Sequence, residues 1–173
     1  DIRGAAIGLG GRALGDEKPK YLNTAESAVY HKGENLYGLF LARKEIAEKN
    51  LAIVTEGYFD VIALHQAGIR NAVAPLGTAL TERQVKMLGR DASKVVLLFD
   101  GDAAGRGAAL RSVEIVLRSA VDCAVALLPA GQDPFDAVRG GGADAIRGVI
   151  EAAPEGSEFK IRETIAKYGA KSV

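Results

Sequence analysis

The sequence predicts an α/β fold: a parallel sheet flanked by helices, with a small β-containing N-terminal piece and a helical C-terminal tail. Three observations lead there. From about residue 50, short β-rich apolar runs alternate with longer segments of helical period, the alternation that builds parallel sheets with right-handed crossovers. The short runs are almost continuously apolar, as strands covered on both faces require. The stretches on either side of this core break the alternation.

Taken in order, residues 2–15 (IRGAAIGLGGRALG) interrupt apolar runs with glycines, which we read as a β-hairpin of a separate layer. Residues 36–48 carry helical spacing and lead into the first sheet strand. The sheet strands are expected at 51–55, 71–75, 95–99 and 123–128, and the helices between them at 58–66, 82–88 and 103–118. After the turn-rich GQDP at 131–134, helix-compatible stretches fall at 136–139, 144–152 and 158–168. This divides the chain into 1–35, the end of an N-terminal subdomain; 36–130, the α/β domain; and 131–173, a helical C-terminal segment.

Composition bounds the function. At 173 residues the chain suits one buried domain. No run approaches the roughly 18 apolar residues of a membrane span, so no membrane partner is expected. Cys123 is the single cysteine, and only His31 and His65 accompany it, which excludes an internal disulfide framework and argues against zinc. A cytoplasmic location is expected. Lys plus Arg equal Asp plus Glu at 22 each, so the chain lacks the strong positive charge of a simple DNA-binding module; an enzyme whose acidic centre offsets a basic approach surface remains compatible. The first residue is Asp1 rather than Met, from which an excised piece of a longer polypeptide is expected.

The acidic residues carry the chemistry. Ligands of open parallel sheets bind beyond the carboxyl ends of the strands, where helix N-termini point their free amides outward. Three acidic groups fall there: Glu56 and Asp60 in TEGYFD, Asp100 and Asp102 in LLFDGDAAG, and Asp133 and Asp136 in DPFD. Asp60 and Asp136 each suit a helix cap as well as a ligand role. Asp100 and Asp102, one residue apart, repel if both are ionised unless a cation lies between them. Mg²⁺ accepts one or two carboxylates and completes its shell with water and phosphate. DGD is therefore read as a Mg²⁺ site, with Gly101 letting the backbone turn tightly. Gly105 is expected to allow close helix-to-sheet packing, and Arg106 is either a phosphate contact or a solvated helix residue. His65 is expected to be packed or on the surface, and Cys123 buried and inert.

TEGYFD at 55–60, followed about forty residues on by LLFDGDAAGRGAA, resembles the TOPRIM domain shared by primases, topoisomerases and some nucleases. GLGGR at 8–12, PKYLN at 19–23, YHKG at 30–33 and PLGTALT at 75–81 narrow the resemblance to the catalytic core of DnaG-type bacterial primases, over about residues 4–140. The resemblance implies a TOPRIM-type sheet and an enzyme that joins ribonucleotides into an RNA primer on a single-stranded DNA template, at the replication fork in the nucleoid. It makes Glu56 a metal ligand or general base, Asp100 and Asp102 metal ligands, and Asp60 and Asp133 supporting acids. Mg²⁺ is the implied cofactor, with Mn²⁺ able to substitute, and no zinc is expected in this segment. Arg12, Lys20 and Lys32 match basic positions that line the trough for nucleotide phosphates and template, which Asn23, Tyr21 and His31 would shape. Ribonucleoside triphosphates are the implied substrates, and a replicative helicase the partner, through a region outside this chain. The family commonly carries Asp-Pro-Asp where this chain has DPFD, so Phe135 stands at the second acid and Asp136 one residue later.

Three other functions fit parts of the pattern. A TOPRIM topoisomerase or nuclease shares the acids, though a topoisomerase needs a tyrosine nucleophile on a further domain. The strand-DGD sequence also resembles haloacid dehalogenase-type phosphatases, whose first Asp is a nucleophile closing the first strand; here another acid-bearing strand precedes it. A non-catalytic DNA-binding TOPRIM module would bind no metal.

Overall fold

The computed structural model describes residues 1–14, 18 and 21–169. Four parallel strands form the central sheet: β3 (Leu51–Val54), β4 (Ala72–Val73), β5 (Lys94–Phe99) and β6 (Asp122–Leu127), in the order β4-β3-β5-β6. The connecting helices are α2 (Tyr58–Gln66), α3 (Glu82–Leu88) and α4 (Ala103–Val116). α1 (Leu39–Lys49) leads in, and α5 (Pro134–Glu151) and α6 (Gly156–Tyr168) follow β6.

Both sheet faces are covered, which explains the continuous apolar runs. Val54, Val95, Leu97 and Val125 point into one core with Ile46 of α1, Val85 and Leu88 of α3, Val113 of α4 and Phe159 of α6. The alternate residues Ile53, Val96, Leu98 and Ala126 meet Leu64 of α2 and Ile146 of α5 on the other face, the period-two division of a strand. Both sheet edges are shielded. Tyr37 forms an antiparallel bridge to Ala74 beside β4, and Glu155 one to Ala124 beside β6.

The N-terminal piece departs from the expected hairpin over 2–15. Among the described residues only Gly10–Arg12 (β1) of that stretch is extended, and it pairs antiparallel with Tyr21–Asn23 (β2), Arg12 opposite Tyr21. Glycines at 4, 8, 10 and 11 raise the entropic cost of an extended chain, and the partner strand is Tyr21–Asn23 instead. β4 is shorter than the expected 71–75, and Ala74 just beyond it bridges Tyr37. The two helices expected at 136–139 and 144–152 fall on either side of a non-helical break at Gly142, φ 68° and ψ −169°, within the span designated α5.

Candidate active site

The strand order reverses direction at β3: the chain leaves β3 for β4 on one side and returns to β5 on the other. Crevices at such switch points, beyond the carboxyl ends of the strands, are where open α/β sheets bind ligands. Glu56 follows β3 and Asp100 follows β5, so adjacent strands carry the two acids to this crevice. The N-termini of α2, α4 and α5 open immediately after the acid-bearing segments, adding the amide ends that favour anions.

A cavity of about 670 Å³ occupies the crevice. Its lining brings Glu56, Asp60, Asp100 and Asp133 together with Arg12, Tyr21 and Asn23 of the small N-terminal sheet and with Tyr58 and Phe59. The guanidinium of Arg12 lies over the rings of Phe59 (5.3 Å) and Tyr21 (5.6 Å), a cation–aromatic arrangement that seats a long flexible side chain.

The acids act strongly on one another. Burial, then the charges of Asp133 and Asp100, pushes the Asp60 carboxyl up to about 7 against the amide of Gly57. Burial, then the charge of Glu56 and those of the other aspartates, pushes Asp100 up to about 6. Glu56 is raised by burial and by Asp102, partly offset by the backbone N–H of Asp100 and by the charge of Arg111. A concentration of negative charge that makes aspartates retain protons near neutrality marks a cation site or an acid–base centre.

Several acids also cap helices. The Gly105 N–H donates to Asp102 Oδ1 at 2.8 Å, the Asp136 N–H to Asp133 Oδ1 at 2.7 Å, and the Gly57 N–H to Asp60 Oδ2 at 3.0 Å. Asp102 is thus the N-cap of α4, and each capping carboxylate keeps a second oxygen. Asp102 is outside the cavity lining, although its charge reaches Glu56 and Asp100. Gly101 is needed for a different reason from the one expected: a Cβ there would fall 1.9 Å from the Leu128 carbonyl oxygen, so the DGD loop lies directly on the chain leaving β6. At Gly105 a Cβ would come within 2.3 Å of the Asp100 carbonyl oxygen, as the close-packing expectation requires.

The remaining expected residues divide. Arg12 and Asn23 line the cavity. Lys20 lies outside the described residues. Lys32 is not part of the lining; its backbone is held by Glu26 Oε1, which accepts from its N–H, and by Gln84 Nε2, which donates to its carbonyl. His31 Nδ1 pairs with Glu26 at 3.1 Å, His65 Nε2 meets the Ala72 carbonyl at 2.9 Å, and Cys123 is buried with its thiol pushed up to about 12. Arg106 is committed elsewhere, donating to the Gly101 carbonyl and to Glu163 of α6. Phe135, 37% exposed, sits on the cavity rim with the Arg139 guanidinium 5.7 Å above its ring, whereas Asp136 stays off the lining. The sequence reading missed Tyr58, Phe59 and Arg111. The first two lie inside TEGYFD between two acids; Arg111 follows Asp102 by more than two helical turns and carries no local signal.

Among the described residues, no group of three or more His, Cys, Asp or Glu is arranged as a metal cage. The donor set nonetheless suits a hard divalent cation. It is all oxygen and electrostatically overcrowded, and Mg²⁺ needs only one or two carboxylates.

Two family models match the chain, "Toprim-like" over residues 53–138 and "DNA primase catalytic core, N-terminal domain" over residues 1–43. A DNA primase of Pseudomonas aeruginosa is 51% identical over 153 residues, covering 87% of this chain and 23% of that protein. A crystal structure of a DNA primase domain from Pseudomonas aeruginosa superposes with a TM-score of 0.91 at 46% identity, covering 96% of this chain and 53% of that one. A DnaG primase catalytic domain bound to ssDNA gives a TM-score of 0.88 at 42% identity, covering 96% of this chain and 55% of that one. The chain spans roughly a quarter of the full-length relative and about half of each solved chain. With its β3/β5 acids, its Arg12-bearing sheet and these matches together, the chain belongs to the DnaG-type bacterial DNA primases and spans part of their catalytic core.

Proposed function

We propose that this chain carries the nucleotidyl-transfer centre for RNA primer synthesis on single-stranded DNA, using ribonucleoside triphosphates and Mg²⁺. The observation that carries the reading is the cavity at the β3/β5 switch point, which is lined both by the carboxylates and by Arg12, Tyr21 and Asn23. Asp100 and Asp102 would hold the cation, with Asp60 and Asp133 adding negative charge beside them. When bound, the cation neutralises the carboxylates toward the triphosphate and stabilises charge on the transferring phosphoryl group. Glu56, raised by burial and by Asp102, is suited to accept the proton of the attacking 3′ hydroxyl at a carboxylate oxygen. Arg12, fixed across the cavity by two aromatic faces, would take phosphate oxygens beyond the reach of the acids. The aromatic rings of Tyr21 and Phe59 offer stacking surfaces for bases, and the ssDNA-bound relative supports a template role. A nucleoid location and a helicase partner reached through sequence outside this chain accompany the reading.

Asp102→Asn isolates the charge, because Asn caps a helix as well as Asp does. In template-directed ribonucleotide incorporation by the parent protein, Asp100→Asn and Asp102→Asn should each lower the rate at least about 100-fold, the scale of losing one preorganised electrostatic contact, with an unchanged circular dichroism spectrum. Parent-like incorporation by either variant overturns the assignment. The topoisomerase alternative is disfavoured because residues 1–43 match the N-terminal domain of the DNA primase catalytic core. The phosphatase alternative is disfavoured because β5 follows β3 and β4 rather than opening the sheet.

A further inference from the structure

Tyr58 opens α2 two residues after Glu56 and stands where the small N-terminal sheet meets the large one. Its hydroxyl contacts Asn23 Oδ1 on β2. On the other side of the same carboxamide, Asn23 Nδ2 donates to the Leu76 carbonyl at 3.4 Å. Together these contacts set the amide's orientation. Only the NH₂ group can donate to a carbonyl, so Oδ1 faces the phenol and the phenol donates.

The Tyr58 ring is seated independently of its hydroxyl. It packs against Tyr37 at 4.9 Å between centroids and meets Tyr21 edge-on at 6.3 Å. A Cβ at Gly10 would come within 2.8 Å of the Tyr58 ring, and one at Gly77, whose φ is +74°, within 2.7 Å of Asn23 Nδ2. Two glycines therefore bring the pair this close. Asn23 and Tyr58 both line the 670 Å³ cavity of the acids and also the neighbouring one of about 600 Å³, so they stand in the wall the two share. With one N–H spent on Leu76, the amide keeps a second, and Asn23 lines the cavity of the acids.

We infer that Tyr58 is a positioning residue, which through its hydroxyl holds the Asn23 carboxamide so that the amide's second N–H meets an oxygen of the incoming nucleotide. This rests on the polymerase reading above. The role is not chemical, since the phenol touches no reacting atom. It predicts that removing one oxygen from Tyr58 is felt as weaker nucleotide binding.

Tyr58→Phe keeps the ring and its packing. It should raise the nucleotide KM about 3- to 10-fold, the range of one net hydrogen bond, with kcat within about twofold. The equilibrium affinity for a fluorescent ATP should fall by the same factor. Asn23→Ala should show at least this loss, and adding Tyr58→Phe to it should change nothing further, because Tyr58 acts only through Asn23. Asn23→Asp keeps an acceptor for the phenol and loses both N–H groups, so it should lose affinity at least as much as Asn23→Ala does. Unchanged KM and affinity in Tyr58→Phe, additive losses in the double variant, or parent-like affinity in Asn23→Asp would each overturn the inference. A parent chain that binds ATP but incorporates none on single-stranded template fails the primer-synthesis reading, and the binding comparison still decides the role of Tyr58. A parent that binds no nucleotide overturns both.

Discussion

Asp60 and Asp100 hold their protons to a pH at which exposed aspartates have long lost them, because burial and neighbouring acids disfavour the second, third and fourth negative charge in one crevice. The consequence for stability has a definite sign. A carboxyl whose folded pKa is raised binds protons more tightly in the folded state, so its contribution is fully present below the ordinary aspartate range. It is lost as pH rises toward about 7 for Asp60 and about 6 for Asp100. Asp60→Asn removes the charge and leaves an oxygen for the Gly57 amide. It should raise the metal-free thermal midpoint at pH 8 by about 2–4 °C, equivalent to about 1 kcal/mol for a chain of this size, and the gap should close near pH 4. Thermal melts of parent and variant across that range check it, and an equal gap at both ends would show that charge is not the cause.

At the scale of elements, close approach and capping decide what the sequence tolerates. Gly101 has ordinary backbone geometry, yet a methyl group there would overlap the Leu128 carbonyl at 1.9 Å. Gly101→Ala must therefore push the DGD loop away from the chain leaving β6. We expect a loss of about 2–4 kcal/mol, in the upper range for overpacking, read from urea denaturation midpoints, together with a fall in incorporation. Gly142→Ala at the α5 break forces a side chain into positive φ and should cost only about 1 kcal/mol with activity intact, since that turn lies away from the acids. Gln84 shows a different device. Fully buried, it accepts from the Thr81 N–H at 2.9 Å and donates to the carbonyls of Lys32 and Asn35 at 2.9 and 2.6 Å, so α3 holds the YHKG segment in place. Gln84→Leu leaves two part-buried carbonyls without that donor and should destabilise by about 1–3 kcal/mol. Hydrogen exchange should quicken around residues 32–35 before it quickens in β5. Equal protection there would assign the hold to other contacts.

Across the whole molecule, the site is an assembly of parts distant in sequence. Glu56 and Asp100 arrive on neighbouring parallel strands, Asp133 on the segment after β6, and Arg12 and Asn23 on a separate two-stranded sheet that closes the cavity from the far side. A cation bound by such donors is coupled to global folding. Mg²⁺ at pH 8 should raise the parent's stability, by about 1.4 kcal/mol at tenfold excess over its Kd, and should raise that of Asp100→Asn by much less. Differential scanning calorimetry across a Mg²⁺ series checks this; equal shifts in the two proteins would place the ion elsewhere.

The bounds of α2 and α3 were readable from apolar spacing and local start signals, since helical period and the Thr81–Gln84 box are properties of adjacent residues. The four sheet strands were readable because both faces are buried, and the acids at their ends because a charged residue closing an apolar run is a local event. Other features were decided only in three dimensions. The partner of the glycine-rich β1 is Tyr21–Asn23, and the demand for Gly101 comes from a carbonyl 27 residues away. Asp102 is a cap as well as a candidate ligand because the turn of α4 presents the Gly105 amide to it. Tyr58 and Arg111 acquire their places near the acids from the way helices lie on the sheet. Periodicity and end signals are carried by neighbours along the chain, whereas register, close approach and the pooling of charge are set by strand order, and only the folded sheet fixes that.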